Sequence, residues 1–197
     1  MVGPLPVTQG NNKYILTFQD NLSKYVVAIP IDQQDAETVA RAFVKRIVLT
    51  YGTPQILQTD QGASFISEVF KNTCKILKIK KIQSTALHPR SQGSIERSHL
   101  VLAEYLTHYV KEDQTNWDHW IAFVTYAFNR TEHSATGFTL FDLLFGHPSA
   151  LPSTSKGPPE PQNNYDDYVS ELRSRLQTVH QQAHKNLITS KNKSKEL

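Results

Sequence analysis

The sequence predicts an α/β fold in which helices flank a mixed sheet. Short segments rich in β-branched and aromatic residues alternate with longer segments whose apolar residues recur every three or four positions. Such alternation is typical of a sheet covered by helices. The first two strand-like segments are joined by a short turn, which predicts a mixed sheet rather than a purely parallel one.

The predicted elements follow one another through most of the chain. The expected strands cover residues 14–18, 25–31, 55–59 and 78–82. The expected helices cover residues 36–51, 67–77, 92–111, 116–128 and 165–190. Their apolar faces are expected to include Val69 in the second helix, His99 and Tyr109 in the third, and Tyr168 in the last. His99 is expected to be an ordinary surface or core histidine. Between the last of these strands and the third helix, we expect residues 84–93 to form a loop, because proline and glycine interrupt both periodic patterns there.

Local sequence signals set the ends of several helices. Asp35, Ser67 and Asn116 are expected N-caps, because their side-chain oxygens can accept hydrogen bonds from the first free backbone N–H groups of a helix. Gly52 and Pro54 are expected to end the first helix, since neither residue continues a helix well.

Length and patterning define the predicted domain organisation. A chain of 197 residues, 39% of them hydrophobic, is long enough for one domain of ordinary size with a full core. We expect residues 1–147 to form this domain and residues 148–164, which are rich in proline and serine, to form a linker. An extra amphipathic C-terminal helix over 165–190 and a lysine-rich tail over 191–197 would follow.

Composition argues against several classes of protein. The single cysteine, Cys74, excludes an internal disulfide and a cysteine-rich zinc finger, and we expect it to be a small buried hydrophobe. No apolar run approaches the roughly 20 residues needed to cross a bilayer, so no membrane is expected among the partners. The formal net charge of +3 is compatible with binding to nucleic acid.

Two acidic residues, Asp60 and Glu96, occur where a predicted strand or helix meets a turn or loop. Asp60 ends an apolar strand and precedes a Gln-Gly turn, and Glu96 lies three residues after Gly93, where a strongly periodic helix begins. A pair of carboxylates can hold a divalent metal, which is the usual route to phosphodiester chemistry. Two simpler interpretations stay open: Asp60 as a turn residue that caps the next helix, and Glu96 as a helical residue that faces water.

A wider set of motifs resembles one known family. The motifs occur in one collinear order over about residues 3–148: GPLP at 3–6, YILTFQDNLSK at 14–24, YGTP at 51–54, DQGASF at 60–65, QGSIERSH at 92–99 and TGFTLF at 136–141. Together they resemble the catalytic core of retroviral and LTR-retrotransposon integrases of the gypsy class. The resemblance implies a ribonuclease-H-like fold within a retrotransposon Pol polyprotein.

The resemblance also implies a chemistry. The family has an Asp, Asp, Glu triad that holds Mg²⁺ or Mn²⁺ for endonucleolytic 3′-end processing and strand transfer on DNA. Asp60 matches the second acid of the triad and Glu96 matches the third, with 35 residues between them. Such a role implies DNA as a partner and assembly into a homodimer or higher oligomer. It also implies a nuclear location.

The first acid of the triad is not matched in this sequence. The family places it a few residues before the dipeptide that Gly3 and Pro4 form here, and only Met1 and Val2 precede that dipeptide. Asp20 is a tempting substitute, but its position in a turn is explained by bonds to its own backbone. We therefore expect an incomplete first strand and impaired catalysis. The alternative is a domesticated, non-enzymatic domain that binds DNA or protein.

Several residues near Glu96 are candidates for contact with DNA. Arg90, Gln92 and Arg97 could line a phosphate track beside the site, with helix capping as the simpler interpretation of Gln92. Lys78, Lys80 and Lys81 are expected to belong to a solvated surface. The aromatic residues of the fourth helix are expected to be core residues rather than platforms for stacked bases. These residues are Trp117, Trp120 and Phe128.

Overall fold

The computed structural model describes residues 1–83, 89–110, 114–149 and 165–193, without the side chains of residues 89–94, 165, 191 and 193. The strands are β1 (Tyr14–Gln19), β2 (Val26–Ile31), β3 (Ile56–Thr59), β4 (Lys80–Gln83), β5 (Glu132–His133) and β6 (Phe138–Thr139). The helices are α1 (Ala36–Phe43), α2 (Leu49–Tyr51), α3 (Ala63–Ile66), α4 (Glu68–Ile76), α5 (Pro89–Thr107), α6 (Trp117–Arg130), α7 (Leu140–Phe145) and α8 (Tyr165–Lys193). Most of the predicted linker and part of the predicted tail lie outside the described residues.

The described strands form three two-stranded sheets, in which strands pair in both orientations. β1 and β2 are antiparallel, with Tyr14 opposite Ile31, whereas β3 and β4 are parallel, with Ile56 opposite Lys80. β5 and β6 form a short antiparallel pair. Val2 adds an isolated antiparallel bridge to Ile15 through two backbone hydrogen bonds of 2.9 Å. The first residues of the chain therefore run along the free side of β1.

The first predicted helix is interrupted. Asp35 caps α1 as predicted, accepting hydrogen bonds from the N–H groups of Glu37 and Thr38. A π-helical turn over Val44–Val48 then separates α1 from α2. This turn is rich in β-branched residues, which lose side-chain freedom in an α-helix. Gly52 ends the segment at φ 90°, a backbone conformation that glycine adopts without strain.

The chain divides into two compact units. The first unit comprises Met1–Gln19 with Val26–Thr125, and the second comprises Asp20–Tyr25 with Tyr126–Leu197. The core of the first unit packs residues of β1, α1 and α4 against one another, with the Phe43 and Phe70 rings 5.8 Å apart. Cys74 is part of this core, so its prediction as a buried hydrophobe is confirmed.

Three sequence expectations for helical residues of the first unit need correction. α5 begins at Pro89, three residues before the predicted start, because proline fits the first turn of a helix well. Tyr109, which the helical spacing assigned to a buried face, is 53% exposed, since α5 ends at Thr107 and the spacing no longer applies. Val69 is 50% exposed, because the buried face of α4 follows Phe70 and Cys74 instead.

The aromatic residues of α6 differ in burial. Trp117 is buried, as predicted for a core residue, and its indole N–H donates to the carbonyl of Pro6 at 2.8 Å. Trp120 is only partly buried and stacks on Tyr109 with a centroid distance of 5.4 Å. Phe128 is also partly buried. The core interpretation therefore holds fully for Trp117 and in part for the other two.

The second unit contains the predicted C-terminal helix, α8. His180 donates from Nε2 to the carbonyl of Leu143 on α7 at 2.6 Å, and Asn186 donates to the carbonyl of Thr136 at the same distance. Ala183 is buried on this face, whereas Tyr168, predicted to face inward, is 45% exposed near the helix start. Within the described part of the chain, the helices are too short or too polar to cross a membrane.

Candidate functional site

Asp60 lies at the point where β3 ends. Its Oδ1 accepts a hydrogen bond of 2.9 Å from the N–H of Gly62, two residues ahead, and the side chain is exposed. A Cβ on Gly62 would lie 2.9 Å from that same oxygen, so only glycine leaves the carboxylate this position. The turn interpretation of Asp60 is therefore correct for one oxygen, while the carboxylate as a whole stays accessible to a ligand.

Glu96 lies on α5 and its side chain is exposed. Among the described residues, the structure gives it no hydrogen-bond or ion-pair partner. Ser98, two positions later, is buried, and His99 is partly buried. α5 therefore packs on the rest of the first unit through a buried face that begins directly after Glu96 and continues through Leu102 and Leu106.

Two hydrogen bonds tie that turn of α5 to β1. Thr17 Oγ1 and His99 Nε2 are 2.6 Å apart, and Gln19 Nε2 donates to Ser98 Oγ at 3.0 Å. Burial lowers the pKa of His99 to about 4, and the positive amino group of Met1 lowers it further in the same direction. His99 is consequently neutral at neutral pH.

The amino group of Met1 interacts electrostatically with two residues, Asp60 and His99. Burial lowers the pKa of this amino group, and the negative charge of Asp60 opposes that shift. The same amino group acts on His99, one helical turn after Glu96. Asp60, directly after β3, and His99, in the middle of α5, thus both interact electrostatically with the amino group of Met1.

The donor chemistry at this place suits a hard divalent cation. Asp60 and Glu96 supply carboxylate oxygens, which Mg²⁺ and Mn²⁺ prefer, and the neutral ring of His99 adds no competing positive charge. Among the described residues, no group of three or more His, Cys, Asp or Glu side chains is close enough to hold a metal ion. Asp60 and Glu96 therefore stay the candidate metal ligands that the sequence predicts.

Asp20 is committed to its own turn. Its Oδ2 accepts hydrogen bonds from the N–H of Leu22 at 3.1 Å and from the N–H and hydroxyl of Ser23, both at 2.7 Å. Ser23 is fully buried, so these bonds hold the turn between β1 and β2 together. The expectation that Asp20 acts as a turn residue is confirmed.

The structure describes the side chain of only one of the three predicted DNA-contacting residues, Arg97. Arg97 is exposed on α5 beside Glu96. Arg90 and Gln92 belong to the same helix, but their side chains lie outside the described residues. Contact of these three residues with DNA therefore stays a prediction. The exposed Lys78 and Lys80 fit the expectation of a solvated surface.

Sequence reasoning missed the role of His99. It placed His99 on the apolar face of α5 and treated it as an ordinary surface or core histidine. Its partner, Thr17, is 82 positions away in the sequence, so only the packing of α5 on β1 shows the contact. The available signal was weak: a polar residue on the inward face of a helix, and a threonine at a buried strand position.

The chain is similar in sequence to integrase core domains and to Pol polyproteins. Residues 2–89 match the family model of the integrase core domain. The chain is 39% identical over 197 residues to the retrovirus-related Pol polyprotein from transposon 412 of Drosophila melanogaster, covering 99% of this chain and 16% of that protein. It is 31% identical over 172 residues to the Gag-Pol polyprotein of baboon endogenous virus, covering 86% of this chain and 10% of that protein. The chain thus spans a small part of these relatives.

Solved structures share the fold. The catalytic core domain of BIV integrase aligns with a TM-score of 0.55 and 24% identity, covering 67% of this chain and 91% of that one. The HTLV-2 integrase catalytic core in complex with magnesium, in its trimeric form, aligns with a TM-score of 0.54 and 19% identity, covering 66% and 92%. These likenesses show a ribonuclease-H-like α/β fold, as the sequence predicts.

Proposed function

Because the chain belongs to the integrase core family of retroviral and retrotransposon Pol polyproteins, we propose that it is the part of an integrase that cuts and joins DNA with the help of divalent metal. The observation that carries this proposal is that Asp60, directly after β3, and Glu96, on α5, both have exposed carboxylates, while the turn of α5 after Glu96 is hydrogen-bonded to β1. Both acids are exposed, as ligands for an incoming metal and a phosphate must be.

In this proposal the chain's own residues hold and orient the reactants. Asp60 and Glu96 bind Mg²⁺ or Mn²⁺ through carboxylate oxygens. Such ions, when bound, activate phosphate and water as Lewis acids. Arg97, and with it Arg90 and Gln92, would bind the DNA backbone beside the two acids, since phosphate contacts fix the position of a duplex on a protein.

A third carboxylate would complete the ligand set from a defined position. The antiparallel register of Val2 with Ile15 places a residue joined directly ahead of Met1 opposite Thr17. Residues that face each other across an antiparallel pair point to the same side. An acid in that position would point toward the side of β1 that carries the Thr17 contact with His99. An acid joined there would be the third proposed ligand, beside Asp60 and Glu96.

The test compares extended versions of the chain. One version carries a short strand-forming extension that ends in aspartate directly ahead of Met1, and its matched control ends in asparagine. We expect the aspartate version to join labelled DNA strands in Mn²⁺ at least about tenfold faster, equivalent to about 1.4 kcal/mol in activation free energy. Adding Asp60→Asn to the aspartate version should remove the gain.

Equal rates for the two extensions would contradict the proposed metal site. Binding of DNA without any metal-dependent joining in either version would favour a non-enzymatic, DNA-binding domain instead. The proposed DNA role also implies action in the nucleus and assembly with further copies of the chain. Both are proposals that localisation of a tagged protein and measurement of its mass in solution would check.

A further inference from the structure

Neighbouring residues of α5 contact alternate residues of β1. Thr17 Oγ1 lies 2.6 Å from His99 Nε2, and Gln19 Nε2 lies 3.0 Å from Ser98 Oγ. Thr17 and Gln19 are two positions apart and so lie on the same face of the strand. Thr17 is 7% exposed, which shields the Thr17–His99 contact from competing water.

Glu96 is mechanically coupled to these contacts. It lies three residues before His99, and residues three apart are neighbours on one side of a helix. One turn of helix rises about 5.4 Å, so a rotation or slide of α5 by a fraction of a turn moves the Glu96 carboxylate by ångströms. A shift of about 1 Å is enough to spoil a metal or reaction geometry.

The Thr17–His99 contact is suited to holding a helix beside a metal site. The imidazole of His99 is neutral at neutral pH, because burial lowers its pKa to about 4. A neutral ring forms the hydrogen bond to the threonine hydroxyl without repelling a cation. A lysine or arginine in this position would satisfy the hydroxyl but would compete with the ion for the carboxylates.

We propose that Thr17 and His99 are a positioning pair that fixes α5 on β1 and thereby sets Glu96 against Asp60. Neither residue is required to touch metal or DNA. The inference rests on the proposed function in one respect, namely that Asp60 and Glu96 act together. The position of α5 itself can be measured without metal.

The test uses three threonine variants of the full chain. Thr17→Val keeps the shape and the β-branched character of the side chain but removes the hydroxyl, and Thr17→Ser keeps the hydroxyl. Thr73→Val is the matched control, since it removes a 2.9 Å hydrogen bond from Thr73 Oγ1 to the carbonyl of Val69 on α4. If Thr17→Val fails to fold, His99→Leu removes the same contact from the other side.

The first readout is the distance between the Asp60 turn and α5. Spin labels at Gln61 and Leu100 report it, because Gln61 is exposed beside Asp60 and Leu100 is 73% exposed on α5. We expect one narrow distance distribution in the parent chain, in Thr17→Ser and in Thr73→Val. A shifted or broadened distribution is expected in Thr17→Val. An unchanged distribution in Thr17→Val would overturn the proposal.

The second readout is the affinity for Mn²⁺. Loss of a group that orients a ligand typically weakens metal binding by about tenfold or more, and we expect that loss in Thr17→Val but not in Thr17→Ser or Thr73→Val. Equal affinity in Thr17→Val and the parent chain would contradict a positioning role. If Asp60→Asn binds Mn²⁺ as tightly as the parent chain does, the proposed metal site is wrong. The distance measurement then still decides whether Thr17 and His99 position α5.

Discussion

Asp60 and Asp118 are both carboxylates of the first unit, but their surroundings differ. Asp60 accepts one hydrogen bond from a backbone N–H two residues away and is exposed. Asp118, at the start of α6, accepts from Thr8 Oγ1 at 2.7 Å and from Asn12 Nδ2 at 2.8 Å, more than a hundred positions away. Asp118 is also partly buried.

The difference separates a carboxylate that serves the fold from one that is free to bind a ligand. Asp118 joins distant segments, so its contacts exist only in the folded chain. The contact of Asp60 is local and leaves most of the carboxylate in solvent. The pKa of Asp118 shows the same pattern: burial raises it, but the hydrogen bonds from Thr8 and Asn12 and the charge of His119 together bring it below its ordinary value.

The largest expected effect that tests this comparison comes from Asp118→Ala. The variant leaves Thr8 and Asn12 without their acceptor, and we expect a loss of about 2 kcal/mol in the free energy of unfolding. The matched control is Asp60→Ala, which should stay within about 0.5 kcal/mol of the parent chain. Urea unfolding of the two variants measures both values. Equal destabilisation would remove the distinction between the two carboxylates.

The pH dependence of stability should also separate the site from the Asp118 region. Folding lowers the pKa of His99 from 6.5 to about 4, so the unfolded chain binds a proton in this range that the folded chain does not. Stability should therefore fall as the pH drops from about 6.5 to 4. Asp118 has a lowered pKa, so its contribution is present above pH 3.8 and is lost below it.

The variant His99→Gln isolates the first of these two pH ranges. Glutamine can still contact the Thr17 hydroxyl but does not titrate. Thermal melting between pH 7 and 4 should show a flatter profile for His99→Gln than for the parent chain. Parallel profiles would show that His99 is not the group responsible.

A smaller effect is expected from Trp117→Phe. The phenyl ring keeps most of the buried apolar surface but cannot donate to the carbonyl of Pro6, which now accepts at 2.8 Å. We expect a loss of about 1 kcal/mol, the usual net value of one hydrogen bond. Combining this change with Asp118→Ala tests whether the two residues act as one anchor for the segment before β1. Strict additivity would show that they act independently.

Gly62→Ala should have the smallest effect on stability, but it should clearly weaken Mn²⁺ binding. The added Cβ would lie 2.9 Å from Asp60 Oδ1, so the carboxylate must move aside. Because Asp60 is exposed, we expect a change in unfolding free energy below about 1 kcal/mol. Mn²⁺ affinity should nevertheless fall, and calorimetric titration measures it. A variant with unchanged affinity would show that the position of the Asp60 carboxylate is not critical.

Local signals predicted much of the fold. Asp35 and Ser67 cap their helices as expected, because capping depends on a few adjacent residues. The hairpin of β1 and β2 follows from alternation and turn chemistry. The helix α3 and the π-helical turn after α1 were not predicted, since one is a single turn long and the other depends on packing rather than periodicity.

The candidate site was predicted unevenly. Asp60 and Glu96 were predicted because their motifs resemble those of a known family, and the structure shows both side chains exposed, Asp60 directly after β3 and Glu96 within α5. The Thr17–His99 contact was not predicted, because it joins residues 82 positions apart and depends on how α5 lies on β1. Neither helical nor strand periodicity specifies such a pairing.

The most direct test of the account is a calorimetric titration of Mn²⁺ into the parent chain and three variants. Asp60→Asn and Glu96→Gln each remove one proposed ligand, and Glu104→Gln is the control, since Glu104 is exposed on the same helix. We expect measurable uptake by the parent chain and by Glu104→Gln, with affinity at least about tenfold weaker in Asp60→Asn and in Glu96→Gln. Uptake that neither Asp60→Asn nor Glu96→Gln reduces would contradict the proposal that these carboxylates hold the metal.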